Sequence, residues 1–285
     1  MTNDATQRRT DHKGAARRAQ ILRMLQDNPE ADLSVEEIAR RFGVSFATVR
    51  RDLGRLRDQH GVARTYGGIA LLRQPEVPTR ERRTTFRRAK DAIGREAAGL
   101  VSDGDLVILD AGSTTSCLAE QLRDRDRLTV VTNGIGVVNA LMAADGVDLV
   151  VLGGRLRGIN ETITGGVAED MLRQVHAATA FIGTDGLDPE AGLACRTLEQ
   201  SRLKTVMMQR ADRVVVLADS SKLDGGAFPF WSPLDRPWEL VTDSGASAAQ
   251  LDRMRDAGAT HIHLAHDDGL VDVLAETATP RQEIS

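Results

Sequence analysis

Between Val107 and Leu122 the chain reads VILDAGSTTSCLAEQL: an apolar run that breaks at Asp110 into a glycine and three hydroxyl residues before a helical pattern resumes. Those residue types in that order suit an anion. Gly112 lets backbone amides approach closely, Ser113, Thr114 and Thr115 offer hydroxyl donors, and the N-terminus of the next helix carries about half a positive charge. A phosphate is the natural occupant. The same string also suits an ordinary strand-to-helix turn, because Gly, Ser and Thr are favoured there for conformational reasons alone.

Four more apolar runs end in small or polar clusters: Thr132 and Asn133, Gly153 and Gly154, Asp185 to Asp188, and Asp219 to Lys222. If the runs are parallel strands, these ends share one edge of a sheet, where ligands bind in open α/β folds. The ligand set predicted on this basis is Asp110, Gly112, Ser113, Thr114, Thr115, Thr132, Asn133, Gly153, Gly154, Asp185, Asp188, Glu199 and Lys222. Gly153 and Gly154 also read as plain turn glycines. Lys222 is one of four lysines in the chain, and its place after a strand predicts a charged contact to the ligand.

The elements that must position these groups follow from the pattern. LVILD, LTVVTN, DLVVLGG, ATAFIGTDG, RVVVLADSS and ELVTDS alternate with helix-like segments over residues 89–285, which predicts an α/β domain built on a mostly parallel open sheet. Its charge differs sharply from what precedes it. Residues 1–90 hold 20 Lys and Arg against 11 Asp and Glu, and the remainder holds 17 against 30. A basic module and an acidic domain imply different partners, and the basic one suits a phosphate backbone.

Within the basic part, Ile21, Leu22 and Leu25 recur at helical spacing, and Ser34 followed by Glu37 reads as a capping box for a helix ending near Gly43. After that glycine turn, Ser45 caps FATVRRDLGRLRDQ, in which Val49, Leu53 and Leu56 form a buried stripe. The pair is a predicted helix-turn-helix. Ser45, Phe46, Ala47, Thr48, Arg50 and Arg51 then lie at the start of the recognition helix, where base edges and phosphates are met. GVARTYGGIALL follows as a hairpin around Gly67 and Gly68, carrying Arg64 and Tyr66 as a wing. The module spans 14–72. Residues 73–88, with two prolines and little periodicity, read as a linker.

VSFATVRRDLGRL with GVARTYGGIAL closely resembles the winged helix-turn-helix of DeoR-type bacterial transcriptional regulators. The order D-x-G-x-T-T, TN, LGG, FIGTDGLDPEAGL, LEQSRLK and LADSSK resembles their effector domain, so the likeness covers nearly the whole chain. It implies an N-terminal winged helix-turn-helix (α+β) followed by a domain similar to ribose-5-phosphate isomerase. It also implies a repressor of a carbohydrate operon, released from operator DNA by a phosphorylated sugar.

A competing reading is an aldose-ketose isomerase with a DNA-binding appendage. Asp185, Asp188 and Glu199 stand where that chemistry places its carboxylates, but the stretch PEAGLACRT lacks the lysine that would steady an enediolate. Binding without turnover is the expectation, with no cofactor; an oligomerisation platform is the third reading. His261 and His263 share one face of a strand near His266, yet no second cluster with ligand spacing supports a metal. Cys117 and Cys195 read as buried apolar residues. The polar N-terminus and the lack of long apolar runs point to a cytoplasmic protein without a membrane span. Reading paired half-sites calls for a homodimer or homotetramer on double-stranded operator DNA.

Overall fold

The computed structural model describes residues 34–60, 62–64, 69–71, 76–226 and 228–266, with positions 14, 17, 18, 20, 21 and 24. Tyr66 and the Gly67-Gly68 turn lie outside the described residues. Arg64 is described only as backbone.

In the N-terminal module, α1 (Val35–Phe42) starts where the Ser34 hydroxyl accepts from the Glu37 amide at 3.0 Å and stops at Gly43, left-handed at φ 61°. Only a residue free of Cβ strain ends a helix there cheaply. α2 (Phe46–His60) follows, and the Ser45 hydroxyl accepts from the Thr48 amide at 3.3 Å. Ile21, Ile38, Val49 and Leu56 form the buried core between them, with Leu53 partly buried against it. Asp52, inside the RRDL string, is buried and accepts from Arg17 (2.6 Å) and Arg18 (3.2 Å). Part of the module's positive charge therefore holds the bundle together. Strands β1 (Val62–Arg64) and β2 (Ile69–Leu71) pair antiparallel, as a wing requires.

The linker sequence has more structure than its pattern suggested: residues 79–82 form a single helical turn, α3 (Thr79–Arg82), and α4 (Arg87–Ala98) begins the large domain. That domain is a seven-stranded sheet in the order β14-β13-β11-β8-β3-β4-β5, with all six strand pairings parallel. The strands are β3 (Leu106–Leu109), β4 (Leu128–Thr132), β5 (Val147–Val151), β8 (Ala177–Gly183), β11 (Ala211–Leu217), β13 (Trp238–Asp243) and β14 (Ala259–Ala265). Alternate residues face opposite layers. Val107 and Leu109 pack with Ile93 of α4, with Leu118 of α5 (Ser113–Gln121) and with Val137 of α6 (Ile135–Leu141). Ile108 faces the other core, with Leu172 of α7 (Gly166–Arg173) and Leu203 and Met207 of α8 (Leu198–Gln209).

The sheet winds outward from β3 to β4 and β5, then returns to place β8 on the opposite side of β3. The topological switch point therefore lies between β3 and β8. Beyond their carboxyl ends a crevice must open, because the chain leaves the two strands in opposite directions. A hairpin of β6 (Arg155–Arg157) and β7 (Thr162–Thr164) and a small antiparallel sheet, with β9 (Leu187–Asp188) and β10 (Gly192–Cys195), are set beside it. Among the described residues no helix is long and apolar enough to cross a membrane.

Candidate functional site

The crevice at the switch point is open to solvent, with about 460 Å³ of space between its walls, bulk water included, and it lies where open α/β sheets bind small molecules. One wall is the loop after β3: Ala111, Gly112, Ser113 and Thr114. Facing it are Gly183 at the end of β8 and Thr184 and Asp185 after it, with Gln200 and Lys204 from α8, Lys222 after β11, Arg82 from α3 and Asn160 from the β6–β7 hairpin.

The first wall is built for exposure of helix-start donors. The Ala111 amide is drawn down by the Asp110 and Asn133 side-chain oxygens, both at 2.8 Å, and Asn133 donates onward to the Thr162 hydroxyl at 2.9 Å. Thr132 donates to the Leu109 carbonyl at 2.7 Å. Thr132 and Asn133 therefore brace the loop from behind. The Thr115 and Ser116 hydroxyls turn back to the Gly112 carbonyl at 3.0 and 2.7 Å, whereas the Thr114 hydroxyl is buried without a partner. A buried hydroxyl left unpaired costs roughly 1–3 kcal/mol, so its position at the mouth of a helix start points to a missing acceptor. Asn160 Oδ1 is a second unpartnered buried atom in the same crevice.

Among the described residues, three cations, Arg82, Lys204 and Lys222, and one carboxylate, Asp185, line the space. Lys204 is buried, its ammonium held by Asp110 and by the Gly183 carbonyl at 2.5 Å. Burial alone pulls the Lys204 pKa down, but Asp110, with Cys195 and Asp185, outweighs it and keeps the ammonium charged. Burial likewise pushes the Asp185 carboxyl up, and Arg82, Arg196, Lys222 and Lys204 together hold it below the usual range. Arg82 lies 2.6 Å from Asp185 and Arg196 lies 3.4 Å from it. Lys222 rests on Asp219 at 3.4 Å. An anion entering here meets fixed positive charge in a partly dry site, where it is worth most.

The sequence-based set divides on this geometry. Gly112, Ser113, Thr114, Asp185 and Lys222 line the crevice, and Asp110, Thr115, Thr132 and Asn133 support its walls. Gly153, Gly154, Asp188 and Glu199 are not among its lining residues. Glu199 is exposed on the first turn of α8, and Asp188 accepts from the amides of Glu190 and Ala191 in a turn. Gly153 follows β5 at the sheet edge, its amide against the Met171 sulfur at 3.2 Å. Arg82, Asn160, Gln200 and Lys204 were missed because none follows one of the apolar runs that form the large sheet. A signal existed for the last two: they are four apart on one helix face, in a chain with four lysines.

Lys204 also corrects the argument that no lysine is available for isomerase chemistry. The lysine arrives from α8 instead of the PEAGLACRT stretch. It is already paired with Asp110, however, and Asp185, held below the usual carboxylate range by two guanidinium groups and two lysines, is a weak base.

Elsewhere, His263 Nε2 donates to the Glu239 carboxylate at 2.8 Å, beside His261. Asp91, Cys117 and Glu120 approach one another, but Arg87 bonds both carboxylates, at 2.8 and 2.9 Å. Cys117 and Cys195 are buried free thiols, each pushed up to about 12, chiefly by burial.

The second site is the surface of α2. Phe46, Ala47, Arg50 and Arg51 are exposed there, Thr48 is half-buried against Ser45, and Val49 is fully buried on the opposite face. The N-terminal end of this helix thus exposes two arginines beside Phe46 and Ala47, a mix of charge and apolar surface suited to a groove of DNA.

Comparison with known proteins agrees on both parts. A family model described as a DeoR C terminal sensor domain matches residues 85–244, and one described as a DeoR-like helix-turn-helix domain matches residues 17–74. The chain is 34% identical over 239 residues to the HTH-type transcriptional repressor GlcR of Bacillus subtilis, covering 83% of this chain and 92% of that one. It is 30% identical over 233 residues to the glycerol-3-phosphate regulon repressor of Escherichia coli K12, covering 81% and 91%. Ribose 5-phosphate isomerase A from Methanocaldococcus jannaschii overlaps 47% of this chain and 52% of its own at a TM-score of 0.35 and 22% identity, a likeness too partial to carry an argument about the crevice. With a DNA-reading helix-turn-helix joined to a sensor domain in this order, the chain belongs to the DeoR family of transcriptional regulators.

Proposed function

We propose that the protein represses a carbohydrate operon and leaves its operator when a phosphorylated sugar enters the switch-point crevice. The observation that carries this reading is the unpartnered Thr114 hydroxyl at the start of α5, inside a space lined by three cations. A phosphate accepts from that hydroxyl and from the first-turn amides, which have no partner within the helix. Sugar hydroxyls then fall to Asp185, Asn160 and Gln200. The name of the glycerol-3-phosphate regulon repressor supports a small phosphorylated polyol as the ligand class.

At the operator, Arg50, Arg51 and Phe46 read bases or backbone, and the wing residues Arg64 and Tyr66 follow the neighbouring phosphates. Each reading helix covers only a few base pairs, so the working unit is a homodimer or homotetramer on a repeated site.

The test is thermal melting of the full chain against matched pairs of sugars and their phosphates. A phosphorylated ligand at a hundredfold excess over its Kd adds about 2.7 kcal/mol. A shift with the phosphate and none with the parent sugar is expected; equal shifts, or none across the panel, would overturn the reading.

A further inference from the structure

Arg82 belongs by sequence to the segment that joins the two domains, yet its guanidinium forms part of the crevice wall. Its Nη1 donates to Asp185 at 2.6 Å and its Nη2 to the Thr79 hydroxyl at 3.1 Å, while Nε is buried without a partner. Asp185 does not depend on Arg82 alone, because Arg196 stands 3.4 Å away on the same carboxylate. We propose that a phosphorylated ligand in the crevice takes Arg82 from Asp185, and that this exchange couples the crevice to the DNA-reading module through residues 76–83. The proposal rests on the sugar-phosphate reading above.

The exchange is cheap for a physical reason. A buried carboxylate stripped of its partner costs several kcal/mol, but Asp185 keeps Arg196 when Arg82 swings to the ligand. The guanidinium gains an acceptor with the bidentate geometry it suits best.

The backbone around Arg82 is fastened tightly enough to pass a movement on. Lys90 is buried in α4 and donates to the Arg82 carbonyl at 2.5 Å and the Thr85 carbonyl at 2.7 Å. On the other side the segment is clipped to the β6–β7 hairpin. Glu76 takes two bonds from Arg157, both at 2.5 Å, and the Thr79 amide donates to the Ile159 carbonyl at 2.9 Å. Arg83 faces Glu161 at 3.6 Å. Asn160, between those two hairpin contacts, lines the crevice, and its buried Oδ1 has no partner. A ligand bonded to Arg82 and Asn160 therefore pulls on both halves of the clip. Wing strand β2 ends at Leu71, five residues before Glu76, so at most about 18 Å of chain separates the clip from the wing.

Calorimetry on the full chain tests this, using glycerol 3-phosphate, ribose 5-phosphate and glucose 6-phosphate as probes, with and without an operator duplex selected from a random library. In the parent, operator should weaken binding of the best probe by roughly 5- to 150-fold, the usual range of coupling between sites. Arg82→Ala should bind operator within about twofold of the parent, bind the probe at least about tenfold more weakly, and lose most of that operator effect. Arg82→Lys should recover part of the affinity, having the charge without the fork. Arg157→Met, which breaks the clip outside the crevice, should keep probe affinity in the absence of DNA and lower the operator effect. Parent-like affinity and coupling in Arg82→Ala would overturn the proposal, and so would weakened affinity with coupling intact. If the parent binds none of the probes, the sugar-phosphate reading fails first and the proposal with it, a result visible before any substitution is made.

Discussion

Helix α2 and the crevice both present positive charge, and they carry it in opposite ways. Arg50 and Arg51 stand in solvent on α2. Lys204 and Lys90 are buried, each ammonium held by defined acceptors. Exposed charge is free to be used on a partner and contributes little to the fold, whereas buried charge is a structural commitment before it is a binding device. Substitutions in the two regions should therefore fail in different currencies.

The largest expected effect is at Lys204. Lys204→Met leaves Asp110 buried and unpaired and should cost about 3–5 kcal/mol of stability, read as a fall in the denaturant midpoint. Adding Asp110→Asn should recover a substantial part; a double variant as unstable as the single one would contradict the ion-pair account.

Glycine to alanine should change sign between the regions. A Cβ on Gly94 of α4 would lie 2.7 Å from the Cys117 backbone in α5, where nothing flexible can yield, so Gly94→Ala should destabilise by about 1–3 kcal/mol. Gly54 on α2 has open space around it, and Gly54→Ala should stabilise by about 0.5–1 kcal/mol. Chemical denaturation of both variants decides.

Arg50→Ala and Arg51→Ala should leave stability within about 0.5 kcal/mol and weaken operator binding. A lost base contact costs about 1–3 kcal/mol and relaxes specificity, while a lost phosphate contact lowers the salt dependence. Unchanged operator affinity in both would break the assignment of α2.

A separate effect is a pH dependence. Burial, then the nearby Lys222, lowers the Lys90 pKa to about 8, against 10.5 for the free side chain. Between those values the unfolded chain binds more protons than the folded one, so this group makes stability rise with pH. The penalty is complete below about pH 8 and vanishes above about 10.5. Lys90→Met should flatten that rise in a pH series of melting temperatures.

The parts legible in sequence are those set by local pattern. Ser34, Gly43 and Ser45 punctuate the two helices of the module, and the apolar runs of the large domain become its parallel strands because a sheet covered on both faces demands continuous apolar residues. Strand ends showed where a crevice belongs, but not which ends reach it. That is settled by strand order: β3 and β8 flank the switch point, whereas β5, with Gly153 and Gly154 after it, lies at the sheet edge. Glu199 and Gln200 show the limit inside one helix. A one-residue step turns a side chain by about 100°, and here it separates an exposed carboxylate from an amide on the crevice wall. Arg82 and Asn160 come from segments without periodicity, and only tertiary contacts bring them in.

The most direct test of the central claim is titration of a phosphorylated sugar into a labelled operator complex, for the parent and for Thr114→Ala. The account predicts release in the parent. It also predicts that Thr114→Ala binds operator normally, folds as stably as the parent or more so because an unpaired buried hydroxyl is gone, and needs at least about tenfold more sugar phosphate for release, equivalent to about 1.4 kcal/mol. Thr115→Ala, whose hydroxyl is already spent on Gly112, should shift release less. A Thr114→Ala variant that releases operator at the parent's concentration would contradict the account and leave the Gly112–Thr115 loop as a turn between a strand and a helix.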